Sequence, residues 1–137
     1  MPQPLIAVKN IAVSRRWYQD VLGLRGGHGG DDYEQLMYAG RMIMQLHRWD
    51  VHEHPHLGIP SEGRLANGMV LWFQSDQFDD VLQRIRAHDA QVLQGPAINV
   101  NANHYEVWLR DPDGYVVVIA GQRVCPRRLD GDAHAQA

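Results

Sequence analysis

Two groups of side chains in this sequence have the types and spacing for chemistry. The first is VHEHPHLG, in which His52, His54 and His56 alternate, Glu53 stands between two of them and His47 lies upstream. Along an extended chain, residues two apart point the same way, so three neutral imidazoles could meet one zinc or nickel ion. Pro55 interrupts the segment, and the competing readings are mobile surface histidines or a ligand-facing lid. The second group is His104 and Glu106 in HYEVWLRDPDGYVVVIAG. At i and i+2 of a strand they share a face, and together with His47 they are the one tempting acid–base set. The competing readings are a hydrogen-bonded polar side of a sheet, or contacts that orient a bound ligand.

Flat ligands need aromatic walls, and Trp17, Trp49, Trp72, Phe73, Tyr105, Trp108 and Tyr115 are candidates for core or cleft. A Trp or Tyr can pack against a planar molecule and still offer one polar atom. Trp49 opens an irregular stretch, while Trp72 and Trp108 stand in predicted strands, so these three are placed in the cleft. Gln45 shares a strand face with Ile43 and His47, and the other face carries Met42, Met44 and Leu46, for which core packing is the stronger reading. The ligand-binding candidates are therefore Gln45, His47, Trp49, Trp72, His104, Glu106 and Trp108, with no catalytic residue, metal ligand or cofactor assigned.

These residues need a scaffold, and the bulk numbers bound it. The chain has 137 residues, 45% of them hydrophobic and 21% charged, and a formal net charge of -3. That fits one globular unit or two half-units sharing a core. Arg15–Arg16 and Arg127–Arg128 are local positives on a surface, and nothing draws the whole chain to nucleic acid. The single cysteine, Cys125, excludes an internal disulfide and lacks a nucleophile's context. No stretch approaches the roughly 20 apolar residues of a membrane span. The opening MPQPLIAVKN has no secretory pattern, so a cytoplasmic protein is the default expectation.

Leu5 to Lys9 reads as a short strand, Asn10 as the cap of a helix with its apolar face at Ile11, Ser14, Tyr18, Val21 and Leu22, and Gly23 as its left-handed end. RGGHGGDD, Arg25 to Asp32, reads as a flexible glycine-rich link. Glu34 to Tyr38 and Met42 to His47 are strands, and residues 48–67 form a long loop of the kind that serves as a lid. The scheme then repeats. Met69 to Phe73 is a strand; Asp76 caps a helix with Phe78, Val81, Leu82 and Ile85 on one stripe; Val92–Leu93 and Ala97 to Val100 are weak strands. His104 to Leu109 and Tyr115 to Ala120 are firmer ones, joined by the turn Asp111-Pro112-Asp113-Gly114. The order is strand, helix, three strands, twice. Each apolar helix stripe must cover a sheet. The expected class is α+β, with two βαβββ modules (4–47 and 68–121) in one domain, 1–121, curling around a cleft with helices outside and a tail at 122–137.

Three segments in this order, IAVKNIAVSRRWYQDVLGL, VLWFQSDQFDDVLQRI and HYEVWLRDPDGYVVVIAG, resemble the vicinal oxygen chelate superfamily, also described as glyoxalase, bleomycin resistance and extradiol dioxygenase proteins. The resemblance implies paired βαβββ modules forming an incomplete barrel around a ligand, and a homodimer in which both chains complete the cavities. It also implies a choice of activities: isomerisation, ring cleavage, fosfomycin modification, epimerisation, or sequestration of an antibiotic without chemistry. Metal-dependent members set four ligands on the sheet, and by the motifs these positions match Gln3, Gln45, Val70 and Val118 here. Valine has no lone pair to donate, and neutral amides are weak beside carboxylates and imidazoles. A one-residue slip offers Met69 or Asn67 and Val117 or Ile119, no better. The expectation is a metal-free protein that sequesters an apolar or aromatic small molecule. The alternative is a lyase, isomerase or dioxygenase with a shifted or degenerate metal site.

Overall fold

The computed structural model describes residues 2–50, 52–60 and 68–123. Cys125, Arg127, Arg128, Asn67 and the tail from 124 onward lie outside the described residues. Asn10 accepts from the Val13 N–H and starts α1, Ile11–Leu22, which follows β1, Leu5–Val8. The helix ends at Gly23 with φ 72°. Then come β2 (Arg25–Gly29), β3 (Tyr33–Tyr38) and β4 (Arg41–Arg48). The second module repeats the order with β5 (Leu71–Gln74), α2 (Phe78–Ala87), β6 (Gln91–Asn99), β7 (His104–Arg110) and β8 (Val116–Arg123). No described helix is long and apolar enough to cross a membrane.

The strands form two four-stranded mixed sheets, ordered β1-β4-β3-β2 and β5-β8-β7-β6, not closed into a barrel. In each, the first strand of the module runs parallel to the last, and the other pairs are antiparallel. This is the expected α+β class and module order. Both helices press on one continuous core: Val8, Tyr18, Val21, Leu36, Met44 and Leu46 from the first module meet Val81, Ile85, Val107, Leu109, Val117 and Ile119 from the second. Strand alternation then sends Ile43, Gln45 and His47 to the other side of the first sheet, and Glu106, Trp108, Val118 and Ala120 to the other side of the second.

Several expectations are corrected. Residues 25–29 of the glycine-rich segment are not a link; they form the edge strand β2, paired with β3. The α2 cap is Gln77 rather than Asp76, with no side-chain capping bond, and Ser75 Oγ accepts from the Gln77 N–H instead. Asp79 and Asp80 do sit in the first turn, where carboxylates favour the positive end of the helix. Of the α2 stripe, Val81 and Ile85 are buried, while Phe78 and Leu82 are partly so. The two weak strands are one strand, β6, with register shifts between Val92 and Gln94 and between Gln94 and Ala97. β8, Val116–Arg123, runs three residues past the expected strand end at Ala120.

One of those shifts makes a local demand. Gly95 has φ 82°, and a Cβ there would lie 2.8 Å from the Glu106 carbonyl oxygen and 3.0 Å from the Ala97 nitrogen, both backbone atoms that cannot swing aside. Gly114 also has positive φ, 96°, but open space around it. Gly95→Ala is therefore expected to destabilise the fold by about 2–3 kcal/mol, the left-handed backbone cost plus a steric one, and Gly114→Ala by about 1–2 kcal/mol. Urea unfolding of the pair checks the order; equal losses would show that backbone angle alone sets the cost.

Candidate functional site

The second sheet gathers four of the predicted residues. Trp72 and Trp108 both pair with Val118 in register, one from each side, and so flank it on one face of the sheet. Glu106 pairs with Ala120 on the same face. The Glu106 carboxylate is buried and accepts from three directions: His104 Nε2 at 2.9 Å, Trp108 Nε1 at 3.1 Å and Asn99 Nδ2 at 3.2 Å. Burial alone would push this carboxyl up, but the hydrogen bonds from Trp108, His104 and Asn99 outweigh it and hold it below its ordinary range. A carboxylate can only accept, so the His104 proton in this pair sits on Nε2. The His104 ring lies 5.7 Å from the Trp72 ring, and Trp72 is 49% exposed, so its face is open to a partner molecule. A cavity of about 300 Å³ opens beside Glu106 and Trp108, bounded by Gln94, Ile98 and Asn99 among others. A larger groove, about 640 Å³, runs past Trp72 between the modules, walled by Pro4, Leu22, Ile43 and Phe73.

The first sheet holds Gln45 and His47 apart from these, and Trp49 follows the end of its strand β4. Both ends of the Gln45 amide are engaged: Oε1 accepts from Tyr33 Oη at 2.6 Å and Nε2 donates to the Gln3 carbonyl at 3.0 Å. His47 lies in a different groove, of about 420 Å³, with its Nδ1 2.6 Å from the Arg48 carbonyl oxygen. A carbonyl only accepts, so Nδ1 carries the proton and Nε2 presents its lone pair. Trp49 Nε1 is buried and finds no partner among the described residues. Tyr33 and Asn99 were missed from sequence; each orients a predicted polar group. Their signal is register, since Tyr33 pairs with His47 and Asn99 with His104, and pairing partners are not readable from one strand alone.

The imidazole trio does not converge. A turn over residues 52–53 and a 3-10 helix, Pro55–Leu57, replace the extended chain that alternation needs. Of the trio, His54 alone joins a cluster of metal-ligating groups, with Asp50 and Glu53.

A family profile described as the glyoxalase/bleomycin resistance protein/dioxygenase superfamily matches residues 1–119. The chain belongs to that superfamily. No curated protein matches it by sequence. Among solved structures it is similar to a protein of unknown function from Agrobacterium tumefaciens, at 21% identity and TM-score 0.70, over 89% of this chain and 93% of that one. It is also similar to a family enzyme from Burkholderia phytofirmans, at 19% identity and TM-score 0.69, over 85% and 94% of the two chains. A third similar structure is a virulence protein from Salmonella typhimurium, at 20% identity and TM-score 0.64, over 90% and 96%. At these identities the likeness carries the fold.

The four positions at which chelating members of the superfamily hold a metal do not fit one here. Val118 is fully buried hydrocarbon between two tryptophans, and Val70 stands just before β5 with its side chain exposed. The Gln45 amide is spent on Tyr33 and on the Gln3 backbone. A hard or borderline cation would find no anionic donor in that set.

Proposed function

We propose that this protein binds a flat, largely apolar small molecule at the exposed Trp72 ring and in the cavity beside Glu106 and Trp108, without a metal at the sheet centre. The observation that carries the reading is Val118, buried at 0% exposure between Trp72 and Trp108 where a chelating residue would stand. Hydrocarbon at Val118 leaves the sheet centre without a chelating group, the accessible tryptophan faces beside it supply affinity by area, and His104 and Glu106 supply orientation. His104 Nδ1 is the ring atom left to meet a ligand hydroxyl or amide, because Nε2 is committed to Glu106. Gln45 and His47 stand on the other sheet, out of contact with this group, and a second chain docked as a homodimer would bring such half-walls together.

A second reading is favoured by the His104–Glu106 contact at 2.9 Å, the geometry of an oriented base. It makes the protein a lyase or isomerase working by proton transfer.

Native mass spectrometry of the untagged protein from its own cell reports dimer mass and any retained organic molecule together. Tryptophan fluorescence then follows binding of that compound, or of a panel of planar aromatics. Trp72→Ala is expected to weaken binding about tenfold, roughly 1.4 kcal/mol for one lost aromatic wall. Quenching that is indifferent to Trp72→Ala and Trp108→Phe, with nothing retained in the mass spectrum, would refute the ligand reading. Turnover of a bound compound that disappears in His104→Ala would establish the enzyme reading instead.

A further inference from the structure

We propose that the segment leaving β4 carries a site for a divalent transition-metal cation, ligated by Asp50, Glu53 and His54, with the His47 imidazole beside them as a further donor. It is separate from the sheet-centre positions of the superfamily and does not depend on the aromatic-ligand reading.

The local backbone builds the cluster. Asp50 Oδ1 accepts the N–H groups of His52 at 3.1 Å and Glu53 at 3.2 Å, and the Asp50 carbonyl accepts the His54 N–H at 2.9 Å. This closed turn carries residues 50, 53 and 54 to the same side, and one ligand atom from each lies within 4.8 Å of the others. Asp50 Oδ2, 4.0 Å from His54 Nδ1, is the carboxylate oxygen the turn leaves for an ion. Bonds of about 2.0–2.2 Å in a tetrahedral set place donors about 3.4 Å apart. The donors must close by little more than an ångström, and Glu53 and His54 are exposed side chains able to move that far.

His47 supplies an independent indication. Its ring lies 4.5 Å from the His54 ring. Its Nδ1–H is tied to the Arg48 carbonyl at 2.6 Å, which fixes the ring and leaves the Nε2 lone pair out of that bond, although His47 stands outside the three groups that lie within 4.8 Å of one another. Metal-binding histidines are held in this way, one nitrogen on a backbone carbonyl and the other on the ion. Two carboxylates balance the charge of a divalent cation, and imidazole nitrogen beside carboxylate oxygen selects zinc, cobalt or nickel over calcium and magnesium. The groove lined by Leu5, His47, His54, His56 and Leu57 lies at the cluster. An ion here would staple the segment after β4 to that strand.

The test uses the untagged full chain, stripped with a chelator and dialysed, then titrated with Co²⁺ by visible absorption and Zn²⁺ by calorimetry. One ion per chain is expected. Glu53→Gln and His54→Ala should each weaken binding at least tenfold, His47→Ala about threefold to tenfold, and His88→Ala, distant beside Asp20, not at all. Zinc should raise the melting temperature of the parent and not of His54→Ala. Asp50→Asn is a weaker test because Asp50 also holds the turn, so Glu53→Gln and His54→Ala carry the decision. Substoichiometric binding, binding spared by those two variants, equal losses in His88→Ala, or an ion lost in His104→Ala instead would each overturn the site.

Discussion

Glu106→Ala is expected to lower the unfolding free energy by about 3–4 kcal/mol, read as a shift in the urea midpoint at unchanged slope. The deletion strands Trp108 Nε1, His104 Nε2 and Asn99 Nδ2, which the carboxylate now satisfies at 2.9 to 3.2 Å. Hydrogen bonds to a charged group contribute about 1.5–3 kcal/mol each, and water entering from the adjacent cavity restores part of the loss. The acid side moves too. The folded carboxyl is held below 4.5, so its stabilisation is complete above that pH and fades as pH falls through the folded value; Glu106→Ala lacks that fading. Glu106→Gln separates stability from tautomer. Its amide keeps one acceptor, but an N–H facing His104 drives the imidazole proton from Nε2 to Nδ1. Nitrogen-15 spectra should show the ring nitrogens exchanging character, and a ligand that used Nδ1–H or its lone pair would bind differently. A Glu106→Ala protein within 1 kcal/mol of the parent, with unchanged imidazole spectra in Glu106→Gln, would mean that the network seen here does not hold the site.

What was legible follows from which forces act locally. Alternation on β4 and β7 announced their two faces because one face of each sheet packs on the shared apolar core, so Met44 and Leu46 had to differ from Gln45 and His47, and Val107 and Leu109 from Glu106 and Trp108. The Asn10 cap was legible because its partner, the Val13 N–H, is three residues away. The edge strand β2 was not. All five of its residues are exposed, so it has no apolar pattern, and its pairing belongs to β3. Its glycines serve close approach, since a Cβ at Gly29 would run into the Tyr33 carbonyl. The histidine cluster was half legible. The residue types were visible, but alternation presupposed an extended chain, and the turn that Asp50 ties selects Asp50, Glu53 and His54 instead. Trp108 was placed in the cleft from its strand position alone. That its indole binds the neighbouring carboxylate required the fold.

The turn at 111–114 was read as a connection between strands, and its buried bonds make it a joint between modules; its substitution should have an effect as large as that of Glu106. Asp111 Oδ1 accepts the N–H groups of Asp113 and Tyr115 at 2.9 and 2.8 Å, and Oδ2 accepts from Tyr18 Oη on α1 at 2.8 Å. Asp113 takes the Lys9 N–H and the Ser14 hydroxyl, while Tyr115 Oη donates to the Ala7 carbonyl on β1. Asp111→Ala leaves three donors unmatched, two of them buried, and is expected to cost about 3–4 kcal/mol at pH 5, roughly 10 °C of melting temperature. Asp111→Asn probes the charge alone, because the amide oxygen keeps both backbone bonds and the amide N–H can donate to the tyrosine oxygen. Burial raises the Asp111 carboxyl from 3.8 to about 6, against the opposing pull of its Tyr18 hydrogen bond. Below 3.8 both folded and unfolded chains hold the proton and the parent has its full stabilisation from this group. As pH rises the unfolded chain ionises first, and the advantage is gone above about 6. Two units correspond to on the order of 3 kcal/mol. The difference in stability between Asp111→Asn and the parent should therefore shift toward the variant by about that amount between pH 4 and pH 6.5. Parallel pH profiles for the two proteins would mean that Asp111 is as well solvated as a surface carboxylate, and that the modules are joined by their shared apolar core rather than by this turn.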